Sequence, residues 1–171
     1  ALITVICSSL AGYAFAKLPF KGRGLLLGVI LFLVTFPLAV LLIPIYMMEY
    51  DLRLINTNLG LILPCVATVI PFCIFIMRGV YKDVPDELEE AATIDGCGVF
   101  ETWRRIMLPA AKGGLSIVAI FSFYNVWGEY TLSRTLAFKE SAMPISVGVT
   151  LLKGEGGWQF GVLGAVITIA L

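Results

Sequence analysis

Long apolar stretches alternate along the chain with short charged ones. Apolar residues dominate five runs: Ala1 to Ala16, Leu25 to Met48, Leu59 to Met77, about Leu115 to Leu132, and Trp158 to Leu171. Backbone groups in lipid must be satisfied within their own segment, and about 20 apolar residues are needed to cross a bilayer as a helix. Each run is therefore predicted to span a membrane. The predicted fold class is all-α, a polytopic helical bundle forming a single domain over residues 1–171. The chain starts inside one apolar run, with no basic leader or cleavage signal, and stops inside another. We read the first and last helices as cut short rather than the first as a signal peptide.

Charge gives the expected orientation. The connection from Lys17 to Gly24 holds Lys17, Lys21 and Arg23, and that from Arg78 to Gly114 holds Arg78, Lys82, Arg104, Arg105 and Lys112. The alternate connections hold Arg53, and then Arg134, Lys139 and Lys153. Eight cations against four place the Arg78 to Gly114 connection in the cytoplasm by the positive-inside rule. Tyr46, Tyr50 and Trp158 then fall near the outer interface, where amphipathic rings are expected.

Small residues point to helix packing. Ser8, Gly12 and Ala16 repeat every four residues, as do Gly157, Gly161 and Ala165, giving faces on which neighbouring helices approach closely. Pro37 and Pro44 are two helical turns apart, as are Pro64 and Pro71, so each pair shares a face. Such pairs suit either helices kinked along a moving pathway or ordinary membrane helices whose freed carbonyls find neighbours.

Composition removes many functions. The chain of 171 residues is 59% hydrophobic and 14% charged, outside soluble globular usage. Its net charge of zero supplies no global field for nucleic acid. Histidine is absent, which excludes His triads, His acid/base chemistry and His metal ligands. Cys7, Cys65, Cys73 and Cys97 form no CxxC pair, so neither a zinc site nor a disulfide framework is expected.

The connection 78–114 is itself helical in pattern. Pro85 suits a first helical position, Asp86 and Glu87 favour a positive helix N-terminus, and Gly96 suits the left-handed position just past a C-terminus. Leu88, Ala91, Ala92 and Asp95 then make one small face and Glu87 and Glu90 another. The small face is expected to enter a groove on a partner. A second helix is expected from about Val99 to Met107, ending at Pro109.

The sequence Glu90-Ala91-Ala92, three residues, Gly96, nine residues, Ile106, one residue, Leu108-Pro109 resembles the EAA loop of prokaryotic ABC importer permeases. Seven positions at fixed spacing arise by chance on the order of once in a million chains of this length. Leu10-Ala-Gly-Tyr-Ala-Phe-Ala-Lys17 and Trp127-Gly-Glu-Tyr130 are similar to the maltose-type carbohydrate-uptake subfamily. The resemblance covers the chain in order, short of the family's first helix and the end of its last.

The resemblance implies a permease subunit in a prokaryotic inner membrane that catalyses no reaction and binds no cofactor of its own. ATP and magnesium are expected on a separate dimer of ATP-binding cassette subunits. A second permease subunit and an extracytoplasmic substrate-binding protein are the other implied partners, within a lipid bilayer. Glu90 takes the role of bonding a basic residue in the ATPase cleft. Ala91, Ala92 and Asp95 complete the docking helix, Gly96 makes the bend, and Ile106, Leu108 and Pro109 anchor the second helix. Glu87 and Glu89, which the motif does not specify, are read as solvated.

A polar stripe marks the fourth run. On a continuous helix Ser122, Asn125, Glu129 and Ser133 fall within an arc of about 80°. Polar groups within a bundle face protein or water, and an intramembrane ionisable residue is a functional candidate. One reading is a sugar path; the other places Glu129 at the outer interface and pairs Asn125 with another helix. Rival functions are an intramembrane enzyme, a membrane scaffold whose loop binds another cytoplasmic partner, or a channel. No Ser-His, Asp-Asp or metal constellation favours the enzyme.

Overall fold

A computed structural model describes residues 1–154, 157, 158, 161, 164–166 and 168. The fold is helical: α1 Leu2–Lys17, α2 Arg23–Leu33, α3 Leu38–Asp51, α4 Asn58–Lys82, α5 Glu87–Ile94, α6 Val99–Ala110, α7 Lys112–Trp127, α8 Thr131–Leu136 and α9 Ile145–Gly148. Short 3-10 turns cover Glu140–Ala142 and Val149–Leu152. Strand pairing among the described residues is limited to Lys153 with Trp158 and Gly154 with Gly157.

The expected count of five spans is not reproduced. Among the described residues α4 alone is long and apolar enough to cross a membrane by itself, with up to three spans if each of two broken helix pairs counts as one. At 25 residues α4 is about 37 Å long, more than a bilayer core of about 30 Å. The expected helix 25–48 is broken at 34–37, where i→i+3 bonds from Val34, Thr35 and Phe36 close the end of α2 and Pro37 precedes α3. Proline disfavours helical geometry in the residue before it, which explains a stop rather than a kink. Pro44, in contrast, lies inside α3. The expected helix 115–132 ends at Trp127 and resumes as α8. Much of the predicted helix 158–171 lies outside the described residues.

The chain forms two compact units. The first comprises Ala1–Pro37 and Val66–Val126. Its core gathers Tyr13 of α1, Cys73, Met77 and Tyr81 of α4, Val84, Trp103 and Met107 of α6, Ala111 and Val118. The small face of α1 sits where the helix meets α4: Ser8 and Gly12 are buried, and a Cβ on Gly12 would lie 2.5 Å from Met77 Cβ. Only glycine permits that approach.

The second unit comprises Leu38–Cys65 and Trp127–Leu171. Here α3 packs on α8, and the turn between α3 and α4 is held by Asn56. Asn56 has φ +61°, a left-handed conformation that asparagine tolerates better than most residues. Its backbone N–H donates to Leu136 O at 3.0 Å, and its Oδ1 accepts from the N–H groups of Phe138 and Lys139.

Candidate functional site

The residues matching the EAA pattern lie in the first unit, on α5, its C-terminal turn and α6. The predicted bend is present. Gly96 has φ +78°, its N–H donates to Thr93 O at 3.0 Å, and Cys97 N–H donates to Ala92 O at 2.9 Å. These two bonds form a Schellman stop, which satisfies carbonyls that the end of α5 would otherwise orphan. At the other end Glu87, Glu89 and Glu90 occupy the first turn, where the helix dipole favours negative charge.

Burial divides the small face of α5: Ala92 is buried, while Leu88, Ala91 and Asp95 are exposed. Ala92, centre of the small face expected to enter a partner's groove, is 1% exposed and turned into the chain's own interior. The helix packs on α6. At 100° per residue Glu90 and Ile94 lie roughly 160° and 200° from Ala92, on the outward side. Ile94 is 87% exposed, and Ala91, Asp95 and Glu90 are exposed too. The Glu90 side chain makes no hydrogen bond or ion pair with another described residue, which leaves its carboxylate available. The face open to a partner is therefore acidic and apolar together.

α6 runs to Ala110, past Pro109, through a π-helical turn at Trp103–Met107. Pro109 has no N–H to give the carbonyl four residues back, so the regular ladder is already interrupted there. Among the expected anchors, Leu108 packs against the core, Ile106 is half-buried and Pro109 is exposed. Trp103 and Met107, at 9% and 0% exposure, hold the segment more deeply. The sequence signal was there: Trp103, Met107 and Ala111 repeat apolar residues every four positions, and all three join the core. After α6 the chain turns through 81° into α7.

α1 carries a set of side chains that sequence reasoning missed. Tyr13 OH donates to Glu89 Oε1 at 2.6 Å, so Glu89 is not the solvated residue expected. Lys17 Nζ donates to Val84 O at 2.6 Å and pairs with Asp86. Ser9 Oγ accepts from the Trp103 indole N–H at 3.2 Å and shares a 2.6 Å hydrogen bond with the Tyr81 hydroxyl. Glu101 and Arg105 form a further pair at 3.0 Å on the exposed side of α6.

The polar stripe is not built as one helix surface. Ser122 is buried and its Oγ donates to Ala119 O within α7, while Asn125 is exposed and its Nδ2 donates to Phe121 O. Glu129 lies in the break after α7 and accepts from the N–H groups of Leu132 and Ser133 at 2.7 and 2.8 Å. Ser133 Oγ also donates to it, at 3.0 Å. Glu129 thus caps α8, and only Asn125 of the four side chains is exposed. The physical reason is the break at 128–130, which places α8's first amides beside a carboxylate that satisfies them.

Comparison with known proteins adds to this geometry. The chain is 31% identical over 169 residues to the sulfoquinovosyl glycerol transport system permease protein of Agrobacterium fabrum, covering 99% of this chain and 59% of that one. It is 29% identical over 172 residues to the diacetylchitobiose uptake system permease protein of Streptomyces coelicolor, covering 99% and 57%. The chain thus spans a little under three fifths of the length of these relatives. Its fold is similar to a chain in the crystal structure of a bacterial ABC transporter involved in the import of the acidic polysaccharide alginate, with TM-score 0.74, 22% identity and coverage of 97% and 62%. Residues 5–171 match the family described as binding-protein-dependent transport system inner membrane component. The chain belongs to that family of membrane transport subunits.

Proposed function

We propose that this chain is part of the permease subunit of an ATP-driven importer for a sugar or related polar solute, and that α5 and its Gly96 turn form the joint with the ATPase. One observation carries the reading: α5 buries Ala92 on a packed base while presenting unpaired Glu90 beside exposed Ile94. A carboxylate within an apolar rim suits a cleft lined by a basic side chain, because shielding from water strengthens the charge-assisted bond.

In this reading the loop 78–114 is cytoplasmic, the helices lie in a prokaryotic inner membrane, and a second permease subunit completes the translocation path. An ATP-binding cassette dimer hydrolyses ATP on the cytoplasmic side. An extracytoplasmic binding protein delivers the solute. The sugar class is supported by the relatives, which are named for sulfoquinovosyl glycerol transport and diacetylchitobiose uptake. Asn125 is the side chain of the polar stripe that supports a contribution to the path, since it is exposed.

The test is uptake into vesicles holding the full-length permease, its partner subunits and the cognate binding protein, against a panel of sugars, polyols and amino acids. ATP-dependent accumulation of one sugar class is expected. Accumulation of amino acids alone would overturn the substrate class, and ATP-independent flux would overturn the importer reading.

A further inference from the structure

Ser9, Tyr13 and Lys17 are spaced by four residues, so their side chains follow one another along a single face of α1, drifting only about 40° per step. Each is bonded to a different piece of the loop 78–114. Lys17 holds the α4–α5 connector at Val84 O and Asp86, Tyr13 holds the first turn of α5 at Glu89, and Ser9 holds α6 at Trp103. The three partners come in chain order as the rail runs from Lys17 back to Ser9. Burial makes these bonds obligatory rather than decorative: Tyr13 and Ser9 are buried, and the Lys17 side chain is 6% exposed, so their polar ends have little water to fall back on.

Covalent links alone would leave α5 loosely held. It joins α4 through a four-residue connector, 83–86, and joins α6 through the glycine-containing turn at 95–98, and both are places where backbone angles can change. The rail spans both. A helix braced at its connector, at its first turn and across its successor moves with whatever braces it.

We propose that Tyr13 and Lys17 are positioning residues for transport: through Glu89, Asp86 and the Val84 carbonyl they bind one end of α1 to α5, so that a displacement of α5 is delivered to α1. The proposal rests on the reading of α5 as the ATPase joint. It predicts that α1 and α5 shift as one body between nucleotide states, and that weakening the brace separates hydrolysis from transport without releasing the ATPase.

The experiment uses the assembled importer in lipid nanodiscs. Spin labels are placed at the exposed positions Leu10 and Glu87, after Cys7, Cys65, Cys73 and Cys97 are replaced by serine. Distances are measured without nucleotide and with ATP and vanadate. In the native rail the Leu10–Glu87 distance should hold within about 1 Å, the small end of interface helix shifts. Tyr13→Phe, which removes only a hydroxyl, and Lys17→Met should each let it change or broaden. ATPase retention should stay at the native level, while hydrolysis stimulated by the binding protein should fall at least about five-fold, the lower end of coupling between linked sites. Lys17→Arg, which keeps a cationic donor, should restore stimulation. Unchanged distances and stimulation in both variants would overturn the proposal. Loss of the ATPase from either variant would also overturn it, since the brace would then be a folding element. Failure of the joint itself shows separately, as full stimulation in chains carrying Glu90→Ala or Gly96→Val.

Discussion

The indole N–H of Trp103 donates to Ser9 Oγ at 3.2 Å, joining residues 94 positions apart in the sequence. The same oxygen bonds the Tyr81 hydroxyl, so one small side chain closes three helices at a buried point. Ser9→Ala leaves the Trp103 donor without its partner there and should cost about 1 to 3 kcal/mol. Thermal unfolding of the purified assembly measures this. Ser9→Thr, which keeps the hydroxyl, should lose less.

On the turn between α3 and α4, Asn56 satisfies two backbone N–H groups while holding a positive φ. Asn56→Gly keeps the conformation and loses the bonds, whereas Asn56→Val loses both. The expected order of thermal stability is Asn, Gly, Val, with roughly 1 to 3 kcal/mol at the first step. Equal stability of the glycine variant would show that the side-chain acceptor contributes nothing.

Glu129 and Asn125 separate structure from path. Glu129→Ala removes a cap from α8, worth about 0.5 to 2 kcal/mol, and should lower thermal stability while leaving the uptake KM near native. Asn125→Ala should do the reverse, raising KM or lowering uptake at unchanged stability. Initial uptake rates across substrate concentration, beside melting curves, check both.

Legibility followed the range of the interactions. The Gly96 bend could be read because a left-handed position after a helix is a local demand that glycine meets best. α4 could be read because its apolar run is long and continuous. The break at 34–37 could not, since it lies within continuing hydrophobicity and Pro37 reads equally as a kink or a stop; that at 128–130 could not, since Glu129 and Ser133 fit a polar stripe on one continuous helix as well as a helix end. The Ser9–Tyr13–Lys17 rail was hidden for another reason: its partners lie 67 to 94 residues away, and nothing local pairs a tyrosine with one glutamate among several. The resemblance to importer permeases selected Glu90 over Glu89, and the structure gives Glu89 an internal partner. The structure also turns Ala92 inward, because a small side chain there serves the chain's own packing, while Leu88, Ala91 and Asp95 of the same face stay exposed.

In the proposed function α5, stopped by Gly96 and carrying an unpaired Glu90 side chain, is the joint to the ATPase. A Cβ at Gly96 would meet nothing of this chain within 4 Å, so within the chain the constraint there is the φ of +78°. Gly96→Val should therefore be severe and Gly96→Asn mild, because asparagine visits φ > 0 more readily than a β-branched residue. Glu90→Ala should remove one charge-assisted bond, worth roughly 1.5 to 3 kcal/mol when shielded from water. The measurement is the amount of ATPase retained on the purified permease, together with its stimulation, for these variants and for a Glu140→Ala control in the opposite connection. Retention and stimulation should be lost in Glu90→Ala and Gly96→Val and kept in Gly96→Asn and Glu140→Ala; equal retention and stimulation in all four would mean that α5 is not the joint.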